Sequence, residues 1–166
     1  NHGLTGEITS SLYSTIKSFF ELDDEKKIKY YFPELYGQRG YVVKGQEHAK
    51  GSSKGDLKEF FHIGNPAISN PKNIWPIEVN DFEEIGTNAF LTLENIGLTL
   101  LKAIAIYLNL EEDYFTNKVK GGESIMRSIH YYPLKAEDVE DGAVRAAAHG
   151  DINLITLLMG ASADGL

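Results

Sequence analysis

His149-Gly150-Asp151 places an imidazole and a carboxylate two residues apart near the end of the chain. In an extended segment residues i and i+2 project to the same side, so both groups can converge on one ion. Gly150 puts no side chain between them and lets the backbone bend towards the ion. A mixed nitrogen and oxygen pair suits Fe(II) or Mn(II) better than a thiolate-seeking metal, and it supplies two of the three donors of a facial site. Alone the pattern is weak, because five histidines give that spacing several chances to arise in an ordinary composition. No third ligand is evident in the residues that follow, up to Leu166.

The remaining chemistry-bearing residues read more plainly. Cysteine is absent, which removes disulfides, thiolate zinc sites and cysteine nucleophiles. No Ser-His-Asp order, phosphate-binding glycine loop or Gly-x-Gly-x-x-Gly fingerprint is present. His62, between Phe61 and Ile63, reads as a packed or surface histidine, His48 as solvated, and His2 as structural. Phe19, Phe20, Phe60, Phe61 and Tyr131 read as core aromatics. Lys26, Lys27 and Lys29, balanced by Glu21, Asp23, Asp24 and Glu25, read as a solvated helix face. A formal charge of -8 argues against a phosphate-backbone partner. No apolar run approaches the ~18 residues that span a bilayer, and no signal peptide is visible. The expected setting is cytoplasmic. The 166 residues, 42% hydrophobic and 24% charged, amount to one globular unit.

The elements that must position the His-x-Asp pair follow from periodicity. From Thr5, Ile8, Leu12, Ile16, Phe19 and Phe20 recur every three or four residues, which predicts a helix of about four turns. Asp23 is a candidate N-cap for a short helix through Tyr30, stopped by Pro33. Tyr41–Val43 and Leu57–Ile63 predict strands. Asn80 suits a variant capping box with Glu83, opening a helix of about 28 residues through Tyr107. Gly86 and Gly97 on it allow close packing against a sheet. A helical piece over Glu111–Phe115 and strands over Ser124–Tyr132, Ala143–Ala148 and Ile152–Met159 complete the order. Helices first and strands last indicate an α+β fold.

Arg127-x-x-His130-Tyr131-Tyr132-Pro133 ahead of Ala147-Ala148-His149-Gly150-Asp151, and Leu-Ile-Thr-Leu-Leu after it, resembles the iron and 2-oxoglutarate-dependent dioxygenase superfamily. The similar group includes isopenicillin N synthase and plant flavonoid and gibberellin oxygenases. Asn1-His2-Gly3, Gly40-Tyr41 and Asp56-Leu57-Lys58-Glu59-x-Phe61-x-Ile63-Gly64 resemble its upstream landmarks in the same order. The resemblance implies N-terminal helices and a long spine helix packed on a double-stranded β-helix (jelly-roll) core, incomplete in this chain. It implies residues 1–122 as a helical and mixed region and 123–166 as the first part of the β-core, within one structural unit.

The resemblance implies Fe(II) held by His149 and Asp151, and 2-oxoglutarate and O2 as cosubstrates. It puts Tyr132 and His130 against 2-oxoglutarate, although many relatives carry Asn where His130 stands. Arg39 and Tyr41 lie where relatives line the substrate pocket, while Arg127 reads as structural. The implied reaction oxidises, by default hydroxylates, a small organic substrate with release of succinate and CO2. The alternatives are an iron oxidase of the isopenicillin N synthase type that does not use 2-oxoglutarate, and a non-catalytic binding scaffold. The family's second ligand His and its Arg-x-Ser, which anchors 2-oxoglutarate, have no counterpart before Leu166. The expectation is therefore a chain cut at its C-terminus, and by its Asn1 start at its N-terminus, inactive alone.

Overall fold

The computed structural model describes residues 3–46, 55–68, 70–135, 144–146 and 149–160. His2, His48, Ala147 and Ala148 of the sequence reading fall outside these residues. Helix α1 (Gly6–Phe20) starts where the Thr5 side chain accepts from the Ile8 N–H at 3.2 Å. It buries Leu12, Phe19 and Phe20. Helix α2 (Asp24–Lys27) runs into a tighter turn over Ile28–Tyr30, with Asp23 at its N-cap position but making no side-chain capping bond.

Strands β1 (Gly40–Val42), β2 (Glu59–Gly64) and β3 (Ile125–His130) form an antiparallel sheet in the order β1-β2-β3. Tyr41 lies opposite Phe61, and Glu59 lies opposite His130. The sheet thus joins residues on both sides of Gly122. Side chains alternate across a strand, so Tyr41, Glu59, Phe61, Ser128 and His130 share one face while Phe60, His62 and Arg127 share the other. The first face carries the core. The Phe19 ring meets Phe61 at 4.8 Å, Phe20 at 5.5 Å, Tyr41 at 5.8 Å, and Tyr30 and Phe82 at 6.0 Å, all edge-on.

Helix α3 (Phe82–Tyr107) has 26 residues, about 39 Å of helix, and packs on α1 and β2. Asp81, not Asn80, stands at its N-cap, with φ +58° and no side-chain capping bond. The expected capping box is therefore not formed. A Cβ on Gly86 would stand 2.7 Å from Ile63 Cδ1, so this glycine does allow close approach to the sheet. Gly97 faces Leu157 and Ile155 instead. By length and composition α3 could cross a membrane, contrary to the run-length reading. Phe82, Ala89, Phe90, Leu101 and Ala105 are buried as core, but only 28% of its apolar stretch is buried, and Leu91, Leu100, Ile104, Ile106 and Tyr107 are exposed.

Helix α4 (Tyr114–Val119) begins three residues later than the expected Glu111 start. Among the described residues, the segments expected as strands over 143–148 and 152–159 form none. Apolar alternation proposes a strand, but a ladder partner is what makes one.

Candidate active site

Glu59 organises the sheet face that carries His130. Its side chain is fully buried, a position a carboxylate holds only with partners. Lys27 Nζ donates to its two oxygens at 3.0 and 3.3 Å. The Tyr41 hydroxyl donates at 2.5 Å, and His130 Nδ1 stands 2.7 Å from Oε1. Burial pushes the Glu59 carboxyl up, but the bonds from His130, Tyr41 and Lys27 outweigh it and hold it below its usual range. Burial first, and then the Glu59 bond and charge, push the Tyr41 phenol far above its usual range, so it stays a donor. An ionised Glu59 has no proton to give, so His130 Nδ1 carries the proton between them.

Lys27 also meets Asp24 at 2.9 Å, and Lys44 reaches Asp24 at 3.6 Å. Lys27 is 3% exposed, so the solvated-face reading is wrong for this residue. Lys26, one position earlier on α2, stays half exposed, and only Lys27 turns inward to the carboxylate. The His130 ring stacks on Phe20 at 4.9 Å, and the Tyr132 ring lies edge-on to it at 6.4 Å. Lys44 Nζ sits 4.9 Å over the Tyr132 ring, and Arg145 donates to the Tyr132 carbonyl at 3.1 Å.

His149 Nε2 and Asp151 Oδ1 are 3.6 Å apart with about half of each side chain exposed. Two adjacent donors on one ion, at the ~2.1 Å of nitrogen and oxygen ligands, stand about 3 Å apart. The pair therefore fits a shared cation after a small torsional adjustment. The other Asp151 oxygen accepts from the Thr156 hydroxyl at 2.6 Å, and Thr156 accepts from Asn153 at 2.7 Å. Such outer bonds orient a ligating carboxylate. No group of three or more His, Asp or Glu placed to hold a metal ion occurs among the described residues, so the pair supplies two donors.

Arg39 is enclosed, donating to Glu123 at 2.9 Å and to the Gln38 carbonyl at 2.8 Å. Its guanidinium fills the space where a Cβ on Gly64 would lie. On the opposite sheet face, buried His62 bonds through Nδ1 to the Gly37 carbonyl, and its Nε2 accepts from Arg127 Nε at 2.8 Å. Arg127 lies 4.7 Å over the Phe60 ring. These residues line a cavity of about 200 Å³ with Tyr36 and Gln46. The Asp56-Leu57-Lys58-Glu59 motif has all three of its charges buried: Asp56 and Lys58 pair at 2.8 Å, and Glu59 takes Lys27.

A profile described as "non-haem dioxygenase in morphine synthesis N-terminal" matches residues 1–78. The chain is 31% identical over its whole length to a proline hydroxylase, buaE, of Petromyces alliaceus, and covers 54% of that protein. A 2OG-Fe(II) oxygenase family protein of Caulobacter crescentus superposes with a TM-score of 0.75 at 38% identity, over 90% of this chain and 50% of its own. This chain belongs to the iron and 2-oxoglutarate-dependent dioxygenase superfamily. Its α+β fold, helices packed on antiparallel strands, is that of the superfamily. Another solved relative, a full-length Neurospora crassa protein in complex with alpha-KG, superposes with a TM-score of 0.74 at 27% identity, over 87% of this chain and 47% of that one. The chain spans about half the length of the relatives it matches.

Within this superfamily member, the residue that sequence reasoning missed is Glu59. Its flanks Lys58 and Phe60 make it look like an outward position on a half-buried strand. The available signal was that the whole Asp56–Gly64 landmark carries charges where a core strand should be apolar, and buried charges need partners.

Proposed function

We propose that the protein carrying this chain is a non-haem Fe(II) and 2-oxoglutarate-dependent oxygenase acting on a small organic substrate. The observation that carries this reading is the convergence of His149 Nε2 and Asp151 Oδ1, with Thr156 orienting the carboxylate, in a chain of this superfamily. His149 and Asp151 would hold Fe(II). When bound with 2-oxoglutarate, iron supplies the oxidising chemistry in which O2 is consumed, succinate and CO2 leave, and the substrate gains one oxygen atom. His130 and Tyr132, neighbours on one side of the chain, would contact 2-oxoglutarate.

Tyr41, buried with its hydroxyl donating to Glu59, would bear on the substrate side through the wall it forms and not as a donor to substrate. Arg39 would contribute through the wall it anchors, its own guanidinium being enclosed. Residues 1–122 and 123–166 would act as one unit, since β2 and β3 pair across that division. The cytoplasm, a reducing compartment, is the proposed location because it keeps iron as Fe(II). Incubation with Fe(II), 2-oxoglutarate and O2 should release succinate, measured by mass spectrometry. Iron-dependent O2 uptake without succinate would replace this reading with the oxidase that does not use 2-oxoglutarate.

A further inference from the structure

We propose that Glu59 is a positioning residue for the cosubstrate site, acting through His130; this rests on the reading of His130 as a 2-oxoglutarate contact. The carboxylate is fully buried and already accepts from Lys27 and Tyr41, so toward His130 it offers only an acceptor. The imidazole is then fixed twice. Its Nδ1 must carry a proton to face Glu59, and its plane is set by stacking on Phe20.

The opposite ring edge, bearing Nε2, is the one left for a ligand. An imidazole held in a defined tautomer by a carboxylate partner presents its other nitrogen with a defined role. With the ring neutral, Nε2 accepts a hydrogen bond; with the ring protonated, it donates to an anion such as a cosubstrate carboxylate. The groups facing this unit are Lys27 and Asp24 of α2, Tyr41 of β1, Lys44 beyond β1, and Phe20 of α1. Lys27 balances the charge of Glu59, and Lys44 stands over the Tyr132 ring on the same side. The charges of this unit are the cations Lys27, Lys44 and Arg145, the last donating to the Tyr132 carbonyl, against the carboxylates Asp24 and Glu59. That is a setting suited to one further carboxylate.

The test combines nitrogen-15 NMR of the His130 ring with steady-state kinetics of Glu59→Gln. In the wild-type protein the ring should report a proton on Nδ1. In Glu59→Gln the fixed tautomer should be lost, and KM for 2-oxoglutarate should rise about tenfold, the loss expected for one hydrogen bond to a charged group. The kcat should change far less, and Glu59→Asp should restore part of the KM. If Glu59→Gln fails to fold, Lys27→Met with Glu59→Gln removes both buried charges together and carries the same readouts. A folded variant with an unchanged ring signal and unchanged KM overturns the proposal, as does a wild-type ring protonated only on Nε2. Should the wild-type protein release no succinate, the oxygenase reading falls, while the NMR arm still decides whether Glu59 fixes the ring.

Discussion

Lys27 Nζ lies 3.0 Å from Glu59 Oε2, with 3% and 1% of the two side chains exposed. Neither charge could stay buried without the other, because removing one partner leaves an uncompensated ion in a low-dielectric site. The pair ties α2 to β2 and closes the helical side of the sheet behind His130.

Removing one partner should therefore be costly. Glu59→Ala is expected to destabilise by about 3–5 kcal/mol in denaturant unfolding. Lys27→Met should cost a similar amount, and the double variant much less than the sum. Additive losses would show that the two side chains do not pair in solution.

Stability should fall at both extremes of pH for identifiable reasons. The Glu59 carboxyl lies below its usual range in the fold. Its contribution is thus fully present above the unfolded value near 4.3 and is lost as pH falls through the lower folded value. Tyr41 is shifted the other way. Its contribution is full below the unfolded value of about 10 and disappears as pH rises towards the higher folded one. Urea midpoints measured from pH 2 to 11 should show both losses, with Tyr41→Phe flattening the alkaline limb. An alkaline limb unchanged in Tyr41→Phe would remove Tyr41 from the account.

Two glycines should respond oppositely to alanine. Gly40 has φ +76°, and a Cβ there would stand 2.5 Å from the Tyr30 carbonyl oxygen, a backbone atom that cannot swing away. Gly40→Ala should cost about 1–3 kcal/mol or more. At Gly97 the nearest atom to an added Cβ is Leu157 Cδ1 at 3.6 Å, ordinary contact. Gly97→Ala should be neutral or stabilising by up to about 1 kcal/mol through helix propensity. Thermal melts of the two variants would check the contrast.

His149 is about half exposed and lies outside the Phe19 core. His149→Ala should therefore abolish 2-oxoglutarate turnover while leaving the melting temperature within a degree or two, as surface substitutions generally do. Retained turnover would take this residue out of the metal site.

Much of the scaffold was readable because its elements are strongly periodic. Ile8, Leu12, Ile16 and Phe19 announce α1, and the apolar steps from Phe82 to Tyr107 announce α3 within two residues. What the sequence hid is long-range. Lys27 looks like its neighbours Lys26 and Lys29 until β2 brings Glu59 beside it. Asp81 takes the α3 start from Asn80 by adopting a left-handed backbone that no side-chain pattern signals. The proposed His149–Asp151 site rests on the resemblance of the surrounding motifs, because the spacing alone is a weak signal. Its orientation by Thr156, five residues beyond Asp151, needed the fold.

The central claim is tested most directly by anaerobic titration of the protein carrying this chain with Fe(II) and 2-oxoglutarate, followed by visible absorption. A saturable metal-to-ligand charge-transfer band that vanishes in His149→Ala and in Asp151→Ala is the predicted result. No band at saturating iron and 2-oxoglutarate, or a band that survives both substitutions, would contradict it.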